Sequence, residues 1–237
     1  MFRFFLLTAL ICSFLACEQQ SDSLFIPVGG VDFVNAIPEN DSVNILLFEY
    51  IYNGGGVGVG DFDQDGNPDL VFAGNYVSSR IYLQKESWSF TDITEGAGLT
   101  TDVWCSGVNV ADVDGNGWED IYFTTLNPSG ANDVPNRLYL NQGTNDEGIP
   151  VFREAAAEYG LGDLGYGTHS AWFDLEGDGD LDLYVLNNAI EEYNRNIAKG
   201  TDTMGKGKSV DRIYRQVPSP TPPQGGGATS DAERPVV

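Results

Sequence analysis

A nine-residue acidic loop that returns three times, each time running into a short apolar segment, restricts this chain more than any other feature. The copies are Asp61-Phe62-Asp63-Gln64-Asp65-Gly66-Asn67-Pro68-Asp69, Asp112-Val113-Asp114-Gly115-Asn116-Gly117-Trp118-Glu119-Asp120 and Asp174-Leu175-Glu176-Gly177-Asp178-Gly179-Asp180-Leu181-Asp182. The step is 51 residues from Asp61 to Asp112 and 62 from Asp112 to Asp174. The flanks, such as Val57 and Val59 before and Leu70-Val71-Phe72 after, read as strands. A second element follows each loop: Ser79-Arg80-Ile81-Tyr82-Leu83-Gln84, Asn136-Arg137-Leu138-Tyr139-Leu140-Asn141 and Asp211-Arg212-Ile213-Tyr214-Arg215-Gln216. A third element, Phe90-Thr91-Asp92-Ile93 and Phe152-Arg153-Glu154-Ala155, follows only the first two. Each repeat therefore supplies about four short strands, and four-stranded propeller blades recur about every 40–50 residues. The excess length falls in residues 127–134 and 191–209, expected at the surface. Helix signals are few; residues 154–159 suggest one turn. The expected fold is all-β: a partial β-propeller of about three to four blades, each a four-stranded antiparallel sheet, with the acidic loops in the blade hairpins.

The loops carry the chemistry. Numbered from the first Asp, positions 1, 3, 5 and 9 hold Asp61, Asp63, Asp65 and Asp69, then Asp112, Asp114, Asn116 and Asp120, then Asp174, Glu176, Asp178 and Asp182. Calcium takes six to eight hard oxygens at about 2.3–2.6 Å, and alternate side chains of a curled loop converge on one point. Position 6 is Gly66, Gly117 or Gly179, which permits the positive φ of the turn. Position 7, Asn67, Trp118 or Asp180, can add a carbonyl oxygen. An EF-hand has the same opening but needs an acidic position 12 and flanking helices. Position 12 is Phe72, Phe123 or Val185, so that reading fails. Plain Asx hairpin turns need one or two such residues, not four crowded into nine positions. Without a cation the crowded carboxylates repel one another. The expected cofactor is Ca2+, binding at the first or third loop before the second, which has one fewer carboxylate.

Composition narrows the function classes. The net charge is −23, with 35 acidic against 12 basic residues. That excludes nucleic acid and electrostatic docking on anionic lipid, which need Lys and Arg. Arg3, an apolar run and small residues leading to Cys17 read as a secretory signal over 1–16, too short to span a bilayer. The stretch Ser13-Phe14-Leu15-Ala16-Cys17 resembles a bacterial lipoprotein cleavage box, with Cys17 as the lipidation site and residues 17–23 as a polar tether. The repeat domain then spans 24–217. The tail 218–237, with Pro218, Pro220, Pro222, Pro223 and three successive glycines, is expected to be disordered. With Cys12 in the signal and Cys17 lipidated, Cys105 stands alone and reads as a small buried hydrophobe. His169, the only histidine, reads as a strand residue packed under the third loop, since no Gly-x-Ser-x-Gly turn accompanies it. Ser106 and Ser170 have no evident base, and glycine-rich 54–60 lacks the Lys-Ser/Thr of a phosphate loop. No catalytic residue is assigned.

The three loops, with Tyr50-Ile51-Tyr52-Asn53-Gly54-Gly55-Gly56-Val57 and the Arg-Leu-Tyr and Arg-Ile-Tyr elements, resemble the FG-GAP/VCBS repeats of integrin α-chain-like propellers. Over residues 30–216 the pattern is similar to bacterial surface lipoproteins related to cartilage acidic protein, whose full-length members carry an ASPIC/UnbV-type C-terminal domain. The resemblance implies a β-propeller with calcium in the blade hairpins and an extracellular binding role. The chain departs from the family at Asn116 and Glu176, and its repeats stop within a strand unit. That break reads as truncation of a longer product; assembly with other copies, or an open arc stabilised by calcium, are the alternatives. The expected function is non-catalytic binding or adhesion at the cell surface, to a glycan or protein. Its membrane contact would be through the lipid alone, and open strand edges would permit self-association. The alternative is an enzyme or accessory subunit of extracellular polysaccharide processing. That reading calls for a second cluster of His, Tyr, Arg or acidic residues outside the loops.

Overall fold

The computed structural model describes residues 24–25, 27–85, 88–127, 134–188 and 204–217. The signal, Cys17 and the tail from 218 lie outside the described residues, as do most of both insertions. Eleven strands form three antiparallel sheets, with no α-helix among the described residues. The first sheet is β1 (Val57–Gly60), β2 (Asp69–Phe72), β3 (Arg80–Lys85) and β4 (Ser89–Asp92) in that order. The second is β5 (Cys105–Ala111), β6 (Asp120–Thr125), β7 (Arg137–Thr144) and β8 (Pro150–Glu154). The third is β9 (Gly167–Phe173), β10 (Asp182–Asn187) and β11 (Arg212–Tyr214). This is a partial β-propeller. The same cross-strand pair marks the same place in each blade: Leu70 faces Tyr82, Ile121 faces Tyr139 and Leu183 faces Tyr214. Residues 155–160 make the anticipated turn, with the Tyr159 N–H donating to the Ala155 carbonyl at 3.0 Å.

The blades join along their first strands, β5 lying against both β1 and β9. Glycine makes this approach feasible. A Cβ on Gly58 would sit 2.8 Å from side-chain carbons of Val110 and Val71, and one on Gly107 would sit 2.7 Å from the Thr168 carbonyl oxygen. Gly56, Gly58 and Gly60 thus serve blade packing. Two cores follow. Phe62, Val71, Ile81, Leu83, Ile121 and Phe152 fill the gap between blades 1 and 2, while Val113, Tyr122, Leu138, Leu140 and Leu183 fill that between blades 2 and 3. The middle blade is covered on both faces, so every residue of β6 is buried and the usual in–out alternation disappears. Position 2 of each loop reports the same geometry. Phe62 and Val113 plug the next interblade core, whereas Leu175 of blade 3 is 55% exposed.

The N-terminal stretch lies against blades 1 and 2. Phe33 stacks on Phe72 at 5.2 Å, and Phe48 and Ile51 pack with Trp104 and Leu126. Cys105 is fully buried in the first core, and burial pushes its thiol up to about 11, so it stays protonated and inert. His169 is a β9 residue, but its side chain is exposed instead of packed beneath the third loop. Ser170, its neighbour on the opposite face, is buried.

Candidate metal centre

Each acidic loop closes the first hairpin of its blade, between β1 and β2, β5 and β6, and β9 and β10. Position 1 nucleates the turn. The Asp61 carboxylate accepts the N–H groups of Asp65 and Gly66, both at 3.0 Å. Asp112 accepts those of Asn116 (3.1 Å) and Gly117 (2.8 Å), and Asp174 those of Gly177, Asp178 and Gly179. Position 5 makes a smaller turn. Asp65, Asn116 and Asp178 accept the position-7 N–H groups of Asn67, Trp118 and Asp180 at 2.8, 2.7 and 3.1 Å. The anticipated glycines do adopt positive φ: +87° at Gly66, +88° at Gly117 and +95° at Gly179. Position 4 is left-handed as well, at Gly115, Gly177 and, without glycine's freedom, Gln64 at +58°. The recurrence of glycine at position 4 in two loops was the readable sign of that second bend.

Position 9 behaves differently from its neighbours. Asp69, Asp120 and Asp182 are all buried, and each carboxylate braces two strands. One oxygen accepts the position-2 N–H: Phe62 at 2.9 Å, Val113 at 2.8 Å, Leu175 at 2.8 Å. The other accepts an N–H at the end of the Arg-x-Tyr element: Gln84 at 2.7 Å, Asn141 at 2.8 Å, Gln216 at 2.9 Å. Sequence reading assigned these three only as ligands that close the shell. The donors are backbone N–H groups, which any residue but proline supplies, so no residue type in the sequence marked the second role.

In loop 1 Asp61, Asp63 and Asp65 bring one carboxylate oxygen each within 4.8 Å of one another, and in loop 2 Asp112, Asp114 and Asp120 do the same. A cation about 2.4 Å from each oxygen spans such a set. The donors are hard oxygens, with no Cys or His in either group, which suits calcium or a similar divalent ion. Asn116 donates from Nδ2 to the Asn141 carbonyl at 3.1 Å, which leaves its Oδ1 as the oxygen it can offer to the loop. Loop 3 forms no group of three; Glu176 hydrogen-bonds Asp182 and also meets Arg215 at 3.4 Å. Loops 1 and 2 thus bring three acids together each, whereas loop 3 brings together two, Glu176 and Asp182. Lys85 pairs with Asp63 at 3.2 Å and partly balances loop 1.

Burial pushes the Asp69 carboxyl up to about 7 and the Asp120 carboxyl up to about 6, the N–H bonds offsetting only part of the effect. Both lie above the unfolded carboxylate value of about 3.9, so between about pH 4 and 7 the folded chain binds more protons than the unfolded one. Stability then falls as pH rises through that window. The metal-free chain should melt higher at pH 5.5 than at pH 8, and calcium should narrow the gap because it competes with the proton. Melting curves of metal-free protein across this range check it; a midpoint that drops steadily on acidification from pH 8 contradicts the assignment.

The fold and its hairpins define a class: a propeller repeat domain with acidic blade loops. Residues 61–123, from the start of loop 1 through loop 2 into β6, match the family described as FG-GAP-like repeat. No curated protein matches the chain.

Proposed function

We propose that this chain is a non-catalytic, calcium-binding surface module that presents its propeller to an extracellular glycan or protein. One observation carries the reading: two adjoining blade hairpins of an FG-GAP-like repeat each gather three carboxylates at the spacing of a calcium shell. Asp61, Asp63, Asp65 and Asp69 would hold one ion with the Asn67 carbonyl. Asp112, Asp114, Asn116, Asp120 and the Trp118 carbonyl would hold the second. The ion offsets much of the loop's negative charge and stiffens the hairpin; the propeller surface does the recognition. A built-in reporter allows a direct test, because Trp118 sits at position 7 of loop 2. Terbium, a calcium mimic, should luminesce when tryptophan is excited, calcium should quench the signal, and Trp118→Phe should abolish most of it. Tryptophan-sensitised emission that survives Trp118→Phe unchanged would show that the ion does not occupy loop 2.

We further propose that the mature chain begins at a lipidated Cys17 and is held at the outer membrane or cell surface, the support being the Ser13 to Cys17 box. A multiply acylated cysteine anchors stably, whereas one chain alone does so only weakly. Cys17→Ser should move the protein from the membrane fraction to the soluble fraction. A wild-type chain that is already soluble, with a different N-terminus, refutes the anchor.

A further inference from the structure

Loops 1 and 2 belong to different blades, yet two hydrogen bonds join them directly and Asn141 of β7 bridges them with two more. Glu119, at position 8 of loop 2, accepts the Asp61 N–H on its Oε2 at 2.6 Å. Gln64, at position 4 of loop 1, donates from Nε2 to the Gly117 carbonyl at 2.7 Å. Asn141 of β7 donates from Nδ2 to the Phe62 carbonyl at 2.9 Å and to the Glu119 carbonyl at 3.3 Å. Asn141 is fully buried, and its own backbone groups reach the second loop: its N–H bonds Asp120 and its carbonyl receives Asn116 Nδ2. One side chain and its peptide thus hold position 2 of loop 1 together with positions 5, 8 and 9 of loop 2. Gln64 holds its left-handed backbone without glycine, and from there its amide spans the gap. Among the described residues no hydrogen bond joins loop 2 to loop 3. There the residue at position 8 is Leu181.

We infer that loops 1 and 2 form one coupled cation-binding unit, with Asn141, Glu119 and Gln64 as positioning residues, so that filling either loop strengthens binding at the other. The inference rests on the calcium reading above. Its physical basis is that an ion drawing the Asp61 peptide inward moves the N–H that Glu119 holds. An ion in loop 2 likewise sets Asp120 and Asn116, and through them Asn141 and the Phe62 carbonyl. Ordering one loop therefore removes part of the ordering cost of the other. Linkage makes the effect reciprocal, and couplings of this kind are about fivefold or greater.

The test uses the full chain and two local knockouts, Asp61→Asn and Asp112→Asn, with terbium at loop 2 read through Trp118 and total calcium read by calorimetry. Asp61→Asn should weaken terbium binding at loop 2 about fivefold or more, and Asp112→Asn should weaken calcium binding at loop 1 by the same factor. Asp174→Asn should change neither. Gln64→Ala combined with Glu119→Gln should shrink the coupling factor toward one while both loops still bind. Asn141→Ala serves as a second probe where circular dichroism shows it folded. Binding at both loops with constants that the knockouts shift less than twofold overturns the coupling alone. A chain that binds neither ion at either loop overturns the coupling and the calcium reading together.

Discussion

Calcium added to the metal-free chain should raise its melting temperature by upwards of about 10 °C. The reasoning is mass action. An ion that binds only the folded state at a hundredfold excess over its dissociation constant adds about 2.7 kcal/mol per site. Two loops assemble a carboxylate group, so two sites add about 5 kcal/mol. For a domain of this size each kcal/mol moves the midpoint by roughly 2–4 °C. The repulsion relieved inside the loops acts in the same direction, because Asp61, Asp63 and Asp65 crowd their oxygens and the Lys85–Asp63 pair balances one charge of the three. Differential scanning calorimetry in chelator and in millimolar calcium measures the shift. Magnesium should give much less, since it demands a tighter octahedral shell and releases water reluctantly. Coincident melts in chelator and calcium would remove the loops from any metal-binding role.

Asp120→Ala should be among the most damaging single substitutions in the molecule, and should be so even without calcium. The side chain is 1% exposed, and its two oxygens accept the Val113 and Asn141 N–H groups at 2.8 Å each. Removing it leaves two buried donors without partners, at about 1–3 kcal/mol apiece. Relief from burying a carboxyl, whose pKa is pushed up to about 6, returns part of that cost. The expected loss of roughly 2–4 kcal/mol is a large share of a typical domain's total of about 5–15 kcal/mol. Asp65→Ala provides the contrast. Its carboxylate is exposed and serves only its own loop, so in chelator the change should stay near 0.5 kcal/mol while the calcium increment falls. Urea unfolding of both variants, with and without calcium, separates a brace from a ligand. Equal losses in chelator would show that position 9 carries no structural burden beyond that of position 5.

The two substitutions mark where sequence reading reaches and where it stops. Positions 1, 5 and 6 were legible because the turn they make closes within nine residues. Asp61 folds over Asp65 and Gly66, glycine takes the left-handed bend, and no distant residue is required. Strand pattern and repeat period were legible for the same reason, since apolar spacing and turn residues act locally. So the all-β class, the blade hairpins and the acidic donor set follow from the chain itself.

What only the tertiary structure decided is how those units meet. Leu175 and Phe62 occupy the same motif position, yet one is exposed and the other plugs a core; the difference is the neighbouring blade and nothing in the loop. Glu176 and Asp63 are equivalent by alignment. Glu176, however, meets Arg215 of β10's partner segment, and loop 3 gathers no group of three acids. Asp120 reads as one more ligand until β7 places the Asn141 N–H against it. Asn141 in turn reads as an ordinary strand end until blade packing sets its amide on the Phe62 carbonyl, 79 residues away in sequence. Local spacing determines a turn because backbone geometry alone closes it. Burial, pairing and coupling between loops depend on which surfaces pack together, and that is settled only when strands far apart in the chain come into contact.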